Sequence, residues 1–223
     1  MSRYECQLGE ARCNDCGREQ PTFVRAASYG PYAGGLRELV HLLKYDRVRP
    51  AAGVLGRMLA ETIATLEAEF PADVLVIPVP LHASKLRQRG FNQSELIAEA
   101  ALRHLERQSR IRYRRNLSAL VRKRATESQV GMTREQRRAN MRGAFAVGSL
   151  NDIANSALLL VDDVFTTGAT VGECARVLRK AGAADVWVVT VGRALRDAGT
   201  FANVPRAGIQ EEEGEAALVA HAP

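Results

Sequence analysis

Between Gly34 and Phe70 the apolar positions Leu36, Leu39, Val40 and Leu43, then Val54, Leu55, Met58, Leu59, Ile63 and Leu66, recur at helical spacing, with Pro50 between the two sets. That pattern predicts two amphipathic helices. After Pro71 the period changes. Val74 to Val79 is a short β-branched run without charge, as expected of a strand buried on both faces, ending near Pro78 to Pro80. Phe91 to Gln108 returns to helical spacing through Leu96, Ile97, Ala100, Ala101 and Leu105, and Leu117 to Val121 reads as another strand. A basic loop follows, then a strand at Ala144 to Val147, a fully buried strand from Leu158 to Asp163, a helix from Gly168 to Ala181 and a strand from Val186 to Val191. Strands alternating with helices predict an α/β fold: a mostly parallel, twisted sheet with helices on both faces. In such sheets ligands sit at the carboxyl ends of the strands.

A chain of 223 residues fits one such domain with short appendages. Residues 1–25 hold Cys6, Cys13 and Cys16 in a polar stretch without apolar periodicity and read as a small loop-rich module. Residues 26–200 form the main domain, with 26–70 as a candidate helical hood. Residues 201–223, with Glu211, Glu212, Glu213 and Glu215 and no apolar face, read as a disordered acidic tail. No repeat is present. No uncharged apolar run reaches the roughly eighteen residues that a membrane-spanning helix needs. The start, Met1 to Cys6, lacks the apolar core of a secretory signal, so the expected location is cytoplasmic, with reduced thiols.

Charge is unevenly placed. The chain carries +6, yet the stretch from Arg110 to Arg142 has eleven Lys/Arg against Glu127 and Glu135. A phosphate-rich partner and an ordinary solvated face both fit that stretch.

The most informative segment is Leu158-Leu-Leu-Val-Asp162-Asp163-Val-Phe-Thr166-Thr167-Gly168-Ala169-Thr170. An apolar strand delivers two carboxylates at its end, and glycine and hydroxyl residues follow where a helix begins. Helix-start N–H groups carry positive partial charge, Gly168 permits close approach, and Thr166, Thr167 and Thr170 add hydroxyls, which together make a phosphate cradle. Asp162 and Asp163 suit the acceptor role toward a ribose diol and, through water, toward Mg²⁺. The string resembles the signature of type I phosphoribosyltransferases. The competing phosphate loop, ending in lysine, is absent, because Ala169 and Thr170 follow Gly168.

A second element is Val79-Pro80-Leu81-His82-Ala-Ser84-Lys85-Leu-Arg87-Gln-Arg89-Gly90-Phe91-Asn92-Gln93. It follows the first sheet strand, so Lys85, Arg87 and Arg89 would open onto the same edge as the cradle. Val79-Pro-Leu-His82, Arg89-Gly-Phe-Asn-Gln93, Gln129-Val-Gly131, Arg137 to Phe145 and the Asp-Asp string resemble, in order and spacing, the ComF/GntX family. The resemblance covers roughly residues 27–195. It implies phosphoribosyl pyrophosphate as ligand, contacted by Leu81 to Arg89, and a mobile loop at about 122–142 closing over it. It further implies a role in handling single-stranded DNA during natural transformation, a competence helicase as partner, and an N-terminal zinc ribbon. Here only Cys13-Asn-Asp-Cys16 is a proper knuckle. With Cys6 it supplies three ligands where a closed Zn²⁺ site has four, which leaves three readings open: a histidine such as His41 completes the site, zinc binds weakly, or the module is a truncated remnant. Cys174 reads as a small buried hydrophobe. The acceptor has no readable motif.

Overall fold

The computed structural model describes residues 21–126, 131–149 and 152–194, so the three N-terminal cysteines and the acidic tail lie outside the described residues. Its strands are β1 (Arg25–Pro31), β2 (Asp73–Pro78), β3 (Arg112–Arg115), β4 (Leu120–Arg122), β5 (Phe145–Val147), β6 (Ala157–Phe165) and β7 (Asp185–Arg193). Its helices are α1 (Gly34–Lys44), α2 (Ala51–Ala64), α3 (Ala83–Arg89), α4 (Gln93–Leu105), α5 (Arg134–Met141) and α6 (Ala169–Lys180). Five strands form one sheet in the order β1-β7-β6-β2-β3, with every neighbouring pair parallel. β4 and β5 form a separate antiparallel ribbon.

The central strands are apolar on both sides because both faces are covered. Leu159 and Val161 of β6, Val74 and Val76 of β2, and Trp187 and Val189 of β7 pack with Leu43, Leu55, Leu59 and Ile97 of α1, α2 and α4. Their neighbours Leu158, Leu160, Leu75, Ile77, Val186 and Val188 pack with Leu120, Met141, Phe145, Cys174 and Leu178 of the ribbon, α5 and α6. Cys174 is a free, fully buried thiol, as its surroundings in sequence predict. The α2 and α4 axes cross closely at Gly56, where an added Cβ would lie 2.3 Å from the Ala100 Cβ.

Three segments differ from the sequence expectation. Residues 26–70, expected as a helical hood, supply the edge strand β1 and helices that pack directly on the sheet. The strand expected at 117–121 belongs to the ribbon, and the sheet is instead extended by β3, whose sequence Arg-Tyr-Arg-Arg conceals it. That edge is held by charge. Arg114 Nε donates to Asp73 at 2.8 Å and Tyr113 Oη donates to Glu67 at 2.8 Å. The long basic loop contains the end of the ribbon and α5, which starts with a capping box between Thr133 and Gln136.

Candidate functional site at the sheet switch point

β2 and β6 lie side by side, yet the chain leaves β2 through α3 and α4 on one face and leaves β6 through α6 on the other. Their carboxyl ends therefore open a crevice at a topological switch point, where doubly wound sheets take their ligands. Both segments singled out in the sequence emerge there: residues 79–93 from β2 and Asp162 to Thr170 from β6.

The pleat sends successive side chains of β6 to opposite faces. Asp163 turns toward α1, where Lys44 Nζ donates to its Oδ1 at 2.8 Å, and it is only 5% exposed. Its Oδ2 is buried without a hydrogen-bond partner. Asp162 is half-buried, and its Oδ1 accepts from the Ser94 hydroxyl at 3.0 Å and from the Asp163 N–H at 3.0 Å. Loss of solvent, reinforced by the Asp163 carboxylate, pushes the Asp162 carboxyl well above the usual carboxylate range, against the opposing pull of Lys44 and these two donors.

Beyond β6 the chain turns at Gly168, which caps α6 with φ +75° and no side-chain cap. A Cβ there would meet Phe165 Cζ at 2.8 Å, so both the backbone and the space call for glycine. The first N–H groups of α6 have no intrahelical acceptor. Thr167 Oγ1 is buried beside them without a partner. Orphaned buried polar atoms are uncommon. An anion seated on the start of α6 would satisfy this hydroxyl.

Residues 83–89 form the short helix α3. His82 is its N-cap: Nδ1 accepts from the Ser84 N–H at 3.3 Å. Lys85 and Arg87 are exposed on α3, Leu81 is half-buried before it, and Arg89 donates to Gln93 Oε1. Burial, then the neighbouring Arg122, Arg89 and Lys44 charges, push the Lys85 ammonium below its usual value. Four cations thus converge on the crevice. Arg122 lies over the Phe145 ring at 5.4 Å, with Nε buried and unpartnered and with Asp162 close enough to stabilise its charge.

The remaining basic stretch is largely committed elsewhere. Arg114 also pairs with Asp152 at 3.3 Å, and Arg115 pairs with Glu99 at 3.6 Å. Arg124 donates to the carbonyls of Asn140 and Arg142 at 2.7 and 3.1 Å. Among the described residues no group of three or more His, Cys, Asp or Glu side chains converges as a metal-ligand set, and no helix is long and apolar enough to cross a membrane. His41, the candidate fourth zinc ligand, is exposed and rests against the Tyr45 ring at 4.4 Å.

No family model matches the chain. It is 29% identical to competence protein F of Haemophilus influenzae, over 85% of this chain and 82% of that protein. It is 33% identical to the DNA utilization protein YhgH of Escherichia coli O157:H7, over 82% of this chain and 78% of that protein. The chain belongs to the ComF-like family. A solved structure of hypoxanthine-guanine phosphoribosyltransferase from Schistosoma mansoni with IMP is similar at a TM-score of 0.37 and 12% identity, covering 66% of this chain and 67% of that one.

In this ComF-like chain the sheet brings together Asp162, Asp163, Thr166 to Thr170 and the segment from Leu81 to Arg89, as the sequence order suggests. Lys44, Ser94 and Arg122 complete the crevice. Ser94 carries a sequence signal, since it follows the N-cap Asn92 at a helix start directed at the same edge. Lys44 carries none, because a lysine ending an amphipathic helix reads as a solvated C-terminal charge.

Proposed function

We propose that the chain binds phosphoribosyl pyrophosphate at the β2/β6 crevice. The observation that carries this reading is the buried, unpartnered Thr167 hydroxyl at the glycine-capped start of α6, set beside the Asp162 carboxylate. The 5-phosphate sits on the α6 start, with Thr166, Thr167 and Thr170 as hydroxyl donors and the Gly168 and Ala169 N–H groups directed at its oxygens. Asp162 accepts from the ribose hydroxyls, and Ser94 fixes its orientation. Lys85, Arg89 and Arg122, whose charges repel one another in the free protein, receive the pyrophosphate, and Arg87 lies at the rim.

Asp162 would hold Mg²⁺ through water, and the ion would supply charge neutralisation for the departing pyrophosphate. In transfer, the bond from ribose C1 to the pyrophosphate oxygen breaks with its electron pair leaving on pyrophosphate. The acceptor then bonds to C1 and gives up a proton. The protein needs no covalent nucleophile for this, only placement and charge.

The handling of single-stranded DNA is a second reading, favoured by one surface. Tyr45 is 64% exposed, with Arg89 6.0 Å from its ring centroid and His41 on it. Exposed Arg47, Arg49 and Arg87 lie on the neighbouring α1–α2 connection and α3, and Arg47 donates to the Gln88 carbonyl at 2.7 Å. An aromatic flanked by cations is the surface on which unpaired bases stack. The relatives' names, which concern competence and DNA utilization, support the same reading.

Thermal-shift profiling with phosphoribosyl pyrophosphate, ribose 5-phosphate and pyrophosphate, each with and without Mg²⁺, tests the first reading. At a ligand concentration a hundred times the dissociation constant, the expected gain is about 2.7 kcal/mol. Absence of any gain from all three compounds overturns it.

A further inference from the structure

The sequence pairs Asp162 with Asp163 as joint Mg²⁺ ligands, but the structure treats the two carboxylates differently. Asp163 already holds a cation. Lys44, the last residue of α1, crosses to it from 119 residues away, and the Lys44 and Asp163 side chains are 19% and 7% exposed. Although burial pulls the Lys44 ammonium down, the Asp163 and Asp162 carboxylates outweigh it and hold the charge firmly in place. A buried pair of this kind adds little net stability, since two apolar residues would serve the core as well. Its position beside Asp162 and its electrostatic contact with Lys85 place it in the ligand crevice instead.

We propose that Lys44 is a resident cation of the crevice, occupying on Asp163 the place a divalent ion would take, so that metal enters on the Asp162 side alone. Mg²⁺ takes oxygen ligands in near-octahedral array and keeps several waters. Such an ion on Asp163 would have to displace the ammonium or lie against it in a site nearly closed to water. The unpartnered Asp163 Oδ2 is therefore left for a donor from the ligand or a water. Asp162, half-buried and not ion-paired to Lys44 within salt-bridge distance, remains open to a hydrated ion. The identity of the ligand rests on the preceding reading, whereas the exclusion of metal from Asp163 stands on the ion pair.

Mn²⁺ tests this, because it accepts the same oxygen ligands as Mg²⁺ and is counted directly by electron paramagnetic resonance. The full chain is titrated with Mn²⁺, with and without pyrophosphate, as wild type, Asp162→Asn, Asp163→Asn, Lys44→Met and the double variant Lys44→Met with Asp163→Asn. Asp163→Asn is expected to leave Mn²⁺ affinity within twofold of wild type, and Asp162→Asn to lower it at least tenfold. Lys44→Met is expected to gain one bound Mn²⁺ per chain and a Mn²⁺-dependent rise in melting temperature, both lost in the double variant. A merely structural lysine would lower stability without changing the metal count. A tenfold loss of Mn²⁺ in Asp163→Asn, or no added Mn²⁺ in folded Lys44→Met, overturns the proposal. Should Lys44→Met fail to fold, the comparison of wild type with Asp163→Asn still decides. Failure of the phosphoribosyl pyrophosphate reading shows separately, as no thermal shift in wild type.

Discussion

The Ser94 hydroxyl, at the start of α4, donates to the Asp162 carboxylate, at the end of β6, over 3.0 Å. Ser94 is fully buried and has water for neither its donor nor its acceptor. It therefore locks the carboxylate in one orientation at the mouth of the crevice. Ser94→Ala is expected to lose about 1.5–3 kcal/mol of stability, the range for a hydrogen bond to a charged acceptor. It should also weaken ligand binding. Chemical denaturation and ligand titration of the same variant measure the two effects, and an unchanged ligand affinity would show that Ser94 serves the fold alone.

Gly168→Ala tests the cradle. The substitution places a methyl against the Phe165 ring at a left-handed backbone position, so a loss of about 1–3 kcal/mol is expected. Ligand-induced stabilisation should fall more steeply than basal stability, because the phosphate seat itself shifts. Melting curves with and without ribose 5-phosphate read both.

Glu173 ties α6 to the turn before β5, accepting from the Gly143 N–H at 2.8 Å and from Arg176 at 2.7 and 2.8 Å. The Arg176 bonds, against a burial penalty and with help from Gly143, hold the carboxyl below its usual range. A carboxyl depressed in the folded state adds stability that is present above the unfolded value of about 4.3 and is lost as pH falls through the lower folded value. Glu173→Gln should therefore be less stable than wild type by about 1–2 kcal/mol at pH 7. The gap should begin to shrink below about pH 4.3 and close once pH falls beneath the lower folded value, as followed by urea unfolding across pH. A gap that persists in acid would assign the effect to packing.

Much of the fold is legible in the sequence because central strands buried on both faces must be continuously apolar, as Val74 to Val79 and Leu158 to Val161 are. The edges are not legible for the opposite reason. β1 presents small residues such as Ala26 and Ala27, and β3 is built from arginines whose carboxylate partners, Asp73 and Glu99, come from elsewhere in the chain. The same cause made the basic stretch misleading: charges that look free in one dimension are neutralised or used as caps in three. In the crevice the cradle could be read because its residues are contiguous. Lys44 could not, since only the fold brings it within reach of Asp163, whereas Arg122 opens the segment that the resemblance implies closes over the ligand.

Single-stranded DNA binding, if carried by the surface around Tyr45, should separate stacking from charge. Tyr45→Ala is expected to weaken binding by about 1–3 kcal/mol with little change in salt dependence. Arg87→Ala is expected to flatten the slope of log affinity against log salt by about 0.7. Lys123→Ala, at the end of the ribbon where the Lys123 N–H donates to the Ala144 carbonyl at 2.9 Å, should change neither. Fluorescence anisotropy of a labelled oligonucleotide over a salt series measures all three, and an effect of Lys123 equal to that of Arg87 would move the DNA to the ribbon.

The central claim is that Asp162 and the start of α6 form a live phosphoribosyl pyrophosphate site. Isothermal titration of Mg²⁺ and phosphoribosyl pyrophosphate into wild type and Asp162→Asn tests it most directly. One equivalent should bind to wild type, and the variant should bind about ten- to a hundredfold more weakly with its fold intact, as expected for losing a charge-assisted acceptor of about 1.5–3 kcal/mol. No binding by wild type, or equal affinity in the variant, would contradict the account.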